Sequence, residues 1–67
     1  MSKFAENLKS SLHINGITQK RLAEETGTTQ QTVSRWLNGI NEPDFDMLLK
    51  ICRFLHESPN ELLGYEQ

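Results

Sequence analysis

A single cysteine, Cys52, in a chain of 67 residues rules out an intramolecular disulfide, and no Cys/His cluster falls at metal-ligand spacing. The expectation is a reducing, cytoplasmic setting with no metal and no cofactor. Long apolar runs are also missing. None approaches the roughly 20 residues that a membrane span needs, and the start Met1, Ser2, Lys3, Phe4 has no apolar signal core. A soluble, unsecreted protein is expected. A chain of this size buries only about 60% of its unfolded surface, which leaves little room for an enclosed active site. There is no Gly-rich phosphate loop, and Ser34 has no neighbouring His or Asp in the sequence pattern that could activate it. Neither an enzyme nor a small-molecule binding domain is expected.

A basic excess is lacking as well, since the formal charge is -2. Taken alone, this argues mildly against a nucleic-acid binder, because phosphate binding usually leaves a basic footprint. Its distribution softens the objection. Residues 1–40 carry five bases (Lys3, Lys9, Lys20, Arg21, Arg35) against three acids (Glu6, Glu24, Glu25). Residues 41–67 carry two bases (Lys50, Arg53) against six acids (Glu42, Asp44, Asp46, Glu57, Glu61, Glu66). Acid is concentrated in the C-terminal part.

The apolar residues that are present, 36% of the chain, suffice for one core and one domain over 1–67. Their spacing is helical throughout, and no period-two alternation lasts long enough for a strand. The fold class is therefore all-α, with five helices at about 3–13, 19–26, 30–38, 45–55 and 59–63. Ser2 is placed to cap the first, in which Phe4, Leu8 and Leu12 form one stripe before Asn15 and Gly16 stop it. Thr18 caps the second, with Leu22, Ala23 and Thr26 inward, and Gly27 ends it at a position that needs φ > 0. Thr29 caps the third, whose inner face is Val33, Trp36 and Leu37. Pro43 and Asp44 introduce the fourth, with Phe45, Leu48, Ile51, Cys52 and Leu55 as its inner face and His56 at its end. Ser58, Pro59 and Glu61 give the fifth a full set of start signals, anchored by Leu62 and Leu63.

Only a few residues separate the second and third helices, so the two must cross steeply, which is the helix-turn-helix geometry. The polar side of the third helix carries two ladders, Gln30, Ser34, Asn38 and Gln31, Arg35. No acid lies between Glu25 and Glu42. An amide-rich, acid-free helix suits the major groove, where Gln pairs with adenine N6/N7, Arg with guanine O6/N7, and a Thr methyl meets the thymine methyl.

The segments Ile17 to Glu24, Gly27 to Trp36 and Asn38-Gly39, with Pro43 to Leu55 and Ser58 to Leu63 following, resemble the lambda-repressor-like, Cro/CI-type helix-turn-helix family over nearly the whole chain. Thr28, Thr29, Gln30 and Gln31 are especially similar to the recognition-helix start of lambdoid phage repressors. The resemblance implies a compact five-helix domain, no enzyme, that binds double-stranded DNA at a palindromic operator as a homodimer, formed either in free solution or only on DNA. It implies recognition helices about one turn, roughly 34 Å, apart. It makes Gln30, Gln31, Thr32 and Arg35 the base-reading residues and Gln19, Thr29, Ser34 and Asn38 the phosphate contacts. The most direct activity is transcriptional repression. A protein-interaction module that keeps the fold, such as an antitoxin or adaptor, is the competing reading, motivated by the negative charge.

Two departures from the family pattern stand out. Where relatives carry an Arg in the first helix and a Glu before the Asn-Gly pair, this chain has Leu12 and Leu37. Replacing both ends of a buried ion pair by apolar groups is neutral or stabilising, so the fold is unaffected. The loop Ile40, Asn41, Glu42, Pro43 lacks the bases that many relatives set against phosphate, which implies modest affinity with a shallow salt dependence. His13 and His56, near helix ends, and Cys52, at a core spacing, have no expected chemistry. Met47, Phe54 and Tyr65 fall partly outside the core. They form either a satellite cluster or, for Phe54 and Tyr65 together with Leu62 and Leu63, a dimer face.

Overall fold

The computed structural model describes residues 3–64, which form α1 (Phe4–Asn15), α2 (Gln19–Thr26), α3 (Gln30–Leu37), α4 (Phe45–Leu55) and α5 (Pro59–Leu63). No strand occurs among the described residues. One core joins Phe4, Leu8 and Leu12 of α1 to Leu22 and Ala23 of α2, Val33, Trp36 and Leu37 of α3, Leu48, Ile51, Cys52 and Leu55 of α4, and Leu62 of α5. Leu12 and Leu37 are both buried in it, so neither position holds a charge.

Four of the five helices begin on a side-chain cap. The hydroxyls of Thr18, Thr29 and Ser58 and the Asp44 carboxylate each accept from the backbone N–H three residues on, and Glu61 completes a capping box with Ser58. These bonds satisfy donors that a first helical turn leaves without partners. The start of α1 is different. Lys3, not Ser2, occupies its N-cap position, without a side-chain bond, and Ser2 lies outside the described residues. The Lys3 N–H instead donates to Leu63 O at 3.2 Å, while Asn7 Nδ2 donates to Glu61 O at 3.2 Å and Leu62 O at 3.0 Å. Donors at the start of α1 thus satisfy the carbonyls at the end of α5. Gly64 closes the junction at φ 77, and a Cβ there would lie 3.1 Å from Lys3 Cβ.

Farther along α1, Ser11 is buried and its hydroxyl donates to the Glu57 carboxylate in the α4–α5 connection. Asn7, Ser11 and Asn15 are spaced i, i+4, i+8, so a polar stripe runs beside the apolar stripe of α1. Its first two members fasten the C-terminal part of the chain. Thr26, also buried, donates its hydroxyl to Leu22 O at 2.8 Å, which lets a polar side chain sit in the core without an unmet bond.

Two expected placements are corrected. Phe45 is not on the inner face of α4 but 68% exposed. Helical side chains lean toward the N-terminus of their helix, so the first residue of α4 overhangs the packed section, which starts with half-buried Met47 and buried Leu48. Leu62, assigned above to a dimer face, is 0% exposed and part of the core between α1, α4 and α5, so it has no surface to offer a partner. Leu62→Ala is therefore expected to destabilise the domain by about 2–5 kcal/mol. In urea titrations the loss should be independent of protein concentration, whereas a dimer-face residue would give a loss that changes with concentration.

Candidate nucleic-acid interface

The connection between α2 and α3 consists of Gly27, Thr28 and Thr29. Gly27 takes φ 75, a left-handed conformation that costs a Cβ-bearing residue roughly 1–2 kcal/mol, and its N–H and that of Thr28 both return to Ala23 O. This stop turns the chain at once. Thr29 then starts α3: its Oγ1 accepts from Thr32 N at 3.1 Å and lies 2.8 Å from Thr32 Oγ1. One hydroxyl proton is held between the two threonines, so the pair keeps one O–H to donate outward.

Burial divides α3 in two. Val33, Trp36 and Leu37 are buried against α1 and α2. Gln30, Gln31, Arg35 and the C-cap Asn38 are exposed, and Thr32 and Ser34 are half-buried at the boundary. The structure thus brings together on a single helix five of the eight residues expected to contact DNA, with Thr29 immediately before them and Asn38 immediately after. Gln19 is separate, half-buried at the first position of α2. No acidic residue occurs on α3, so its exposed face combines amide donors and acceptors with one guanidinium.

The amide of Asn38 is partly committed. Its Nδ2 donates to Ser34 O at 2.9 Å and also reaches Ser34 Oγ at 3.4 Å. Asn15 makes the same bond to Ser11 O, at 2.7 Å, at the end of α1. The arrangement is therefore in the first place a way of ending a helix.

Arg21, counted above only among the bases, has two partners. Its Nε donates to Glu25 at 3.0 Å, and its guanidinium lies over the Phe54 ring, 5.5 Å from the centroid. The ion pair is solvent-exposed on both sides and contributes at most a few tenths of a kcal/mol. Phe54 is half-buried beneath this arginine, facing α2, and Leu63 is half-buried at the α5–α1 junction; both pack on the core. Tyr65, the remaining residue assigned to a dimer face, lies outside the described residues. The Arg21 contacts were legible only as an i, i+4 pair with Glu25, since the aromatic partner is 33 positions away.

The remaining titratable groups offer little chemistry. Burial pushes the Cys52 thiol above its ordinary range, with Glu57 and Glu61 adding to the effect, so the sulfur stays protonated and unreactive at neutral pH. Among the described residues no three His, Cys, Asp or Glu side chains gather as metal ligands, and no helix is long and apolar enough to cross a membrane.

A short turn between two packed helices, the second presenting an acid-free polar face, defines a helix-turn-helix domain. The chain belongs to the Cro/CI-type helix-turn-helix family: the helix-turn-helix family model matches residues 15–62. It is 33% identical over 63 residues to YqaE, an uncharacterised HTH-type transcriptional regulator of Bacillus subtilis, and this match covers 94% of the chain. The chain spans about half, 54%, of that relative's length.

Solved structures agree. A transcriptional regulator from Listeria innocua superposes with a TM-score of 0.92 at 31% identity, covering 100% of this chain and 63% of the other. The SOS-response transcriptional repressor LexA from Eubacterium rectale gives 0.85 at 27% identity, over 90% of this chain and 64% of that one. The restriction-modification controller protein C.AhdI from Aeromonas hydrophila gives 0.83 at 26%, over 91% and 92%.

The cap that starts α3 is the local feature on which this face depends. Thr29→Ala should lower stability by about 1 kcal/mol, and Thr29→Ser should retain most of it. Chemical denaturation of the three proteins measures the difference, and equal losses for Ala and Ser would remove the cap from the account.

Proposed function

We propose that this domain acts in transcriptional repression, binding double-stranded DNA as a homodimer on a palindromic operator with α3 in the major groove. The observation that carries the reading is the exposed face of α3, where Gln30, Gln31 and Arg35 stand free of any acid on the helix. Gln30 and Gln31 have the geometry to pair with adenine, and Arg35 with guanine. Thr32, with its methyl group and its hydroxyl linked to Thr29, sits at the edge of the same face. Gln19, Thr29, Ser34 and Asn38 are assigned to phosphate, Gln19 beside the unpaired N–H groups that start α2. Half-buried Phe54 and Leu63, with Tyr65, remain the proposed dimer face.

A second reading, a protein-interaction module on the same fold, draws on a different observation. Ile40 and Phe45 are 69% and 68% exposed, interleaved with Glu42, Asp44 and Asp46, just past the end of α3. This apolar and acidic surface suits a basic protein partner better than it suits phosphate.

Selection from random duplexes at low salt, read by fluorescence anisotropy, separates the two. Enrichment of a palindrome supports the operator reading, and no enrichment at protein concentrations that permit dimers overturns it. On the selected duplex, Gln30→Ala should cost about 1–3 kcal/mol and relax preference at one base pair, with the salt slope unchanged. Asn41→Lys should do the reverse. One added cation facing phosphate raises affinity and steepens the log–log salt slope by about 0.9, leaving the base preference as it was.

A further inference from the structure

The chain stops two helices with nearly the same words. Ser11, Asn15, Gly16 and Ile17 end α1, and Ser34, Asn38, Gly39 and Ile40 end α3. The bonding is also the same. In each, Asn Nδ2 donates to the carbonyl of the serine four residues earlier. The glycine takes a left-handed φ, 64 at Gly16 and 72 at Gly39, and its N–H returns three residues, to His13 O and Trp36 O. The isoleucine N–H returns five residues, Ile17 to Leu12 O at 2.9 Å and Ile40 to Arg35 O at 3.0 Å. Both ends are Schellman motifs, in which a hydrophobic contact between the residue after the glycine and the residue five before it commonly holds the turn shut.

That clasp is present at one end only. Ile17 is half-buried, packed on the core, and the residue five before it, Leu12, is buried. The serine of that motif, Ser11, is itself buried and tied to Glu57. At the end of α3, Ile40 is 69% exposed and the residue five before it is Arg35, charged and facing solvent. The position that would complete the clasp is taken by a proposed base reader. The turn at Asn38 and Gly39 therefore lacks the hydrophobic cover of its counterpart at the end of α1, and it is expected to open more often.

We infer that Asn38-Gly39 is a site of spontaneous chemical modification by deamidation, and that its conversion weakens DNA binding. In this reaction the Gly39 nitrogen loses its proton and bonds to Asn38 Cγ, and the Cγ–Nδ2 bond breaks with release of ammonia. Water then opens the cyclic imide at either carbonyl, giving aspartate or isoaspartate. A glycine on the C-terminal side leaves the attacking nitrogen unobstructed. Asn7, Asn41 and Asn60 are followed by Leu8, Glu42 and Glu61, whose side chains hinder it. In the closed turn the attacking N–H is bonded to Trp36 O at 3.1 Å and the departing amide to Ser34 O at 2.9 Å, so reaction requires the turn to open. Asn15-Gly16 has the same sequence and bonding but the clasp, and is an internal reference. The product sets a carboxylate at the C-terminal, negative end of α3, beside phosphate, where helix and DNA both disfavour it.

The modification half is independent of any DNA reading, and the affinity half rests on the proposed function. Wild-type protein is incubated at mildly alkaline pH and its peptides are mapped by mass spectrometry with time. Asn38 should convert several-fold faster than Asn15. Equal rates, a faster Asn15, or an unchanged Asn38 would overturn the inference. Ile17→Ala, which weakens the clasp, should bring the Asn15 rate toward that of Asn38, and an unchanged rate in a folded variant would count against the clasp.

For affinity, Asn38→Asp and Asn15→Asp are titrated with the duplex obtained by selection. Several-fold weaker binding for Asn38→Asp alone is the expected result, and wild-type binding by Asn38→Asp would overturn the affinity half. If no duplex is enriched, the operator reading fails on its own, and the peptide map still decides the modification.

Discussion

Everything that α3 presents outward is set by what it buries. Val33, Trp36 and Leu37 occupy one side of the helix in the common core, and with a period of 3.6 residues the rotation of the other side follows. Gln30, Gln31 and Arg35 need no bonds of their own to be aimed. The core anchors are large and shared with α1 and α2, so a small shift of α3 would disturb packing on several elements at once. For recognition this matters more than the strength of any single polar contact, because a base-reading side chain is useful only on a helix that does not rotate.

A second constraint is the way short helices are held. Helices of five to twelve residues are marginal alone and depend on packing into the core, to which each side-chain cap adds about 1 kcal/mol. Threonine, serine and aspartate side chains start four helices, left-handed residues end them, and the carbonyls of α5 are met by donors at the start of α1. His56 carries out the left-handed stop of α4 without being glycine, at φ 58, and accepts the steric cost of a Cβ there. The same devices compete with the proposed base reading at the end of α3. A residue cannot both reach into a groove and fold back to seal its own helix, and Arg35 faces outward.

The charge distribution can now be placed on the structure. Glu42, Asp44 and Asp46 cluster just past α3, and Asp44 has a structural task as the cap of α4. A helix start favours acids for the same reason that it favours phosphate, so the acid at this point belongs to the fold before it belongs to any binding role. Bulk charge thus contributes little to the proposed DNA affinity, and the weight shifts to the directed amides and guanidinium of α3 and to pairing of two copies.

Helix number and type, the caps at Thr18, Thr29 and Ser58, the stop at Gly27 and nearly all of the core were legible in the sequence, because each follows from local spacing or the chemistry of one side chain. The polar composition of the α3 face was legible for the same reason. What the sequence could not decide depends on which elements lie next to one another. Phe45 falls at an inward register on the helical wheel yet overhangs the end of α4, and Leu62 looks available on a short helix yet is enclosed by α1 and α4. Asn7 and Ser11 carry no signal in the sequence, because their partners, the end of α5 and Glu57, come from more than forty residues away. Local pattern determined the elements and the face of α3; tertiary packing alone decided which apolar groups remain outside and which polar groups hold the ends together.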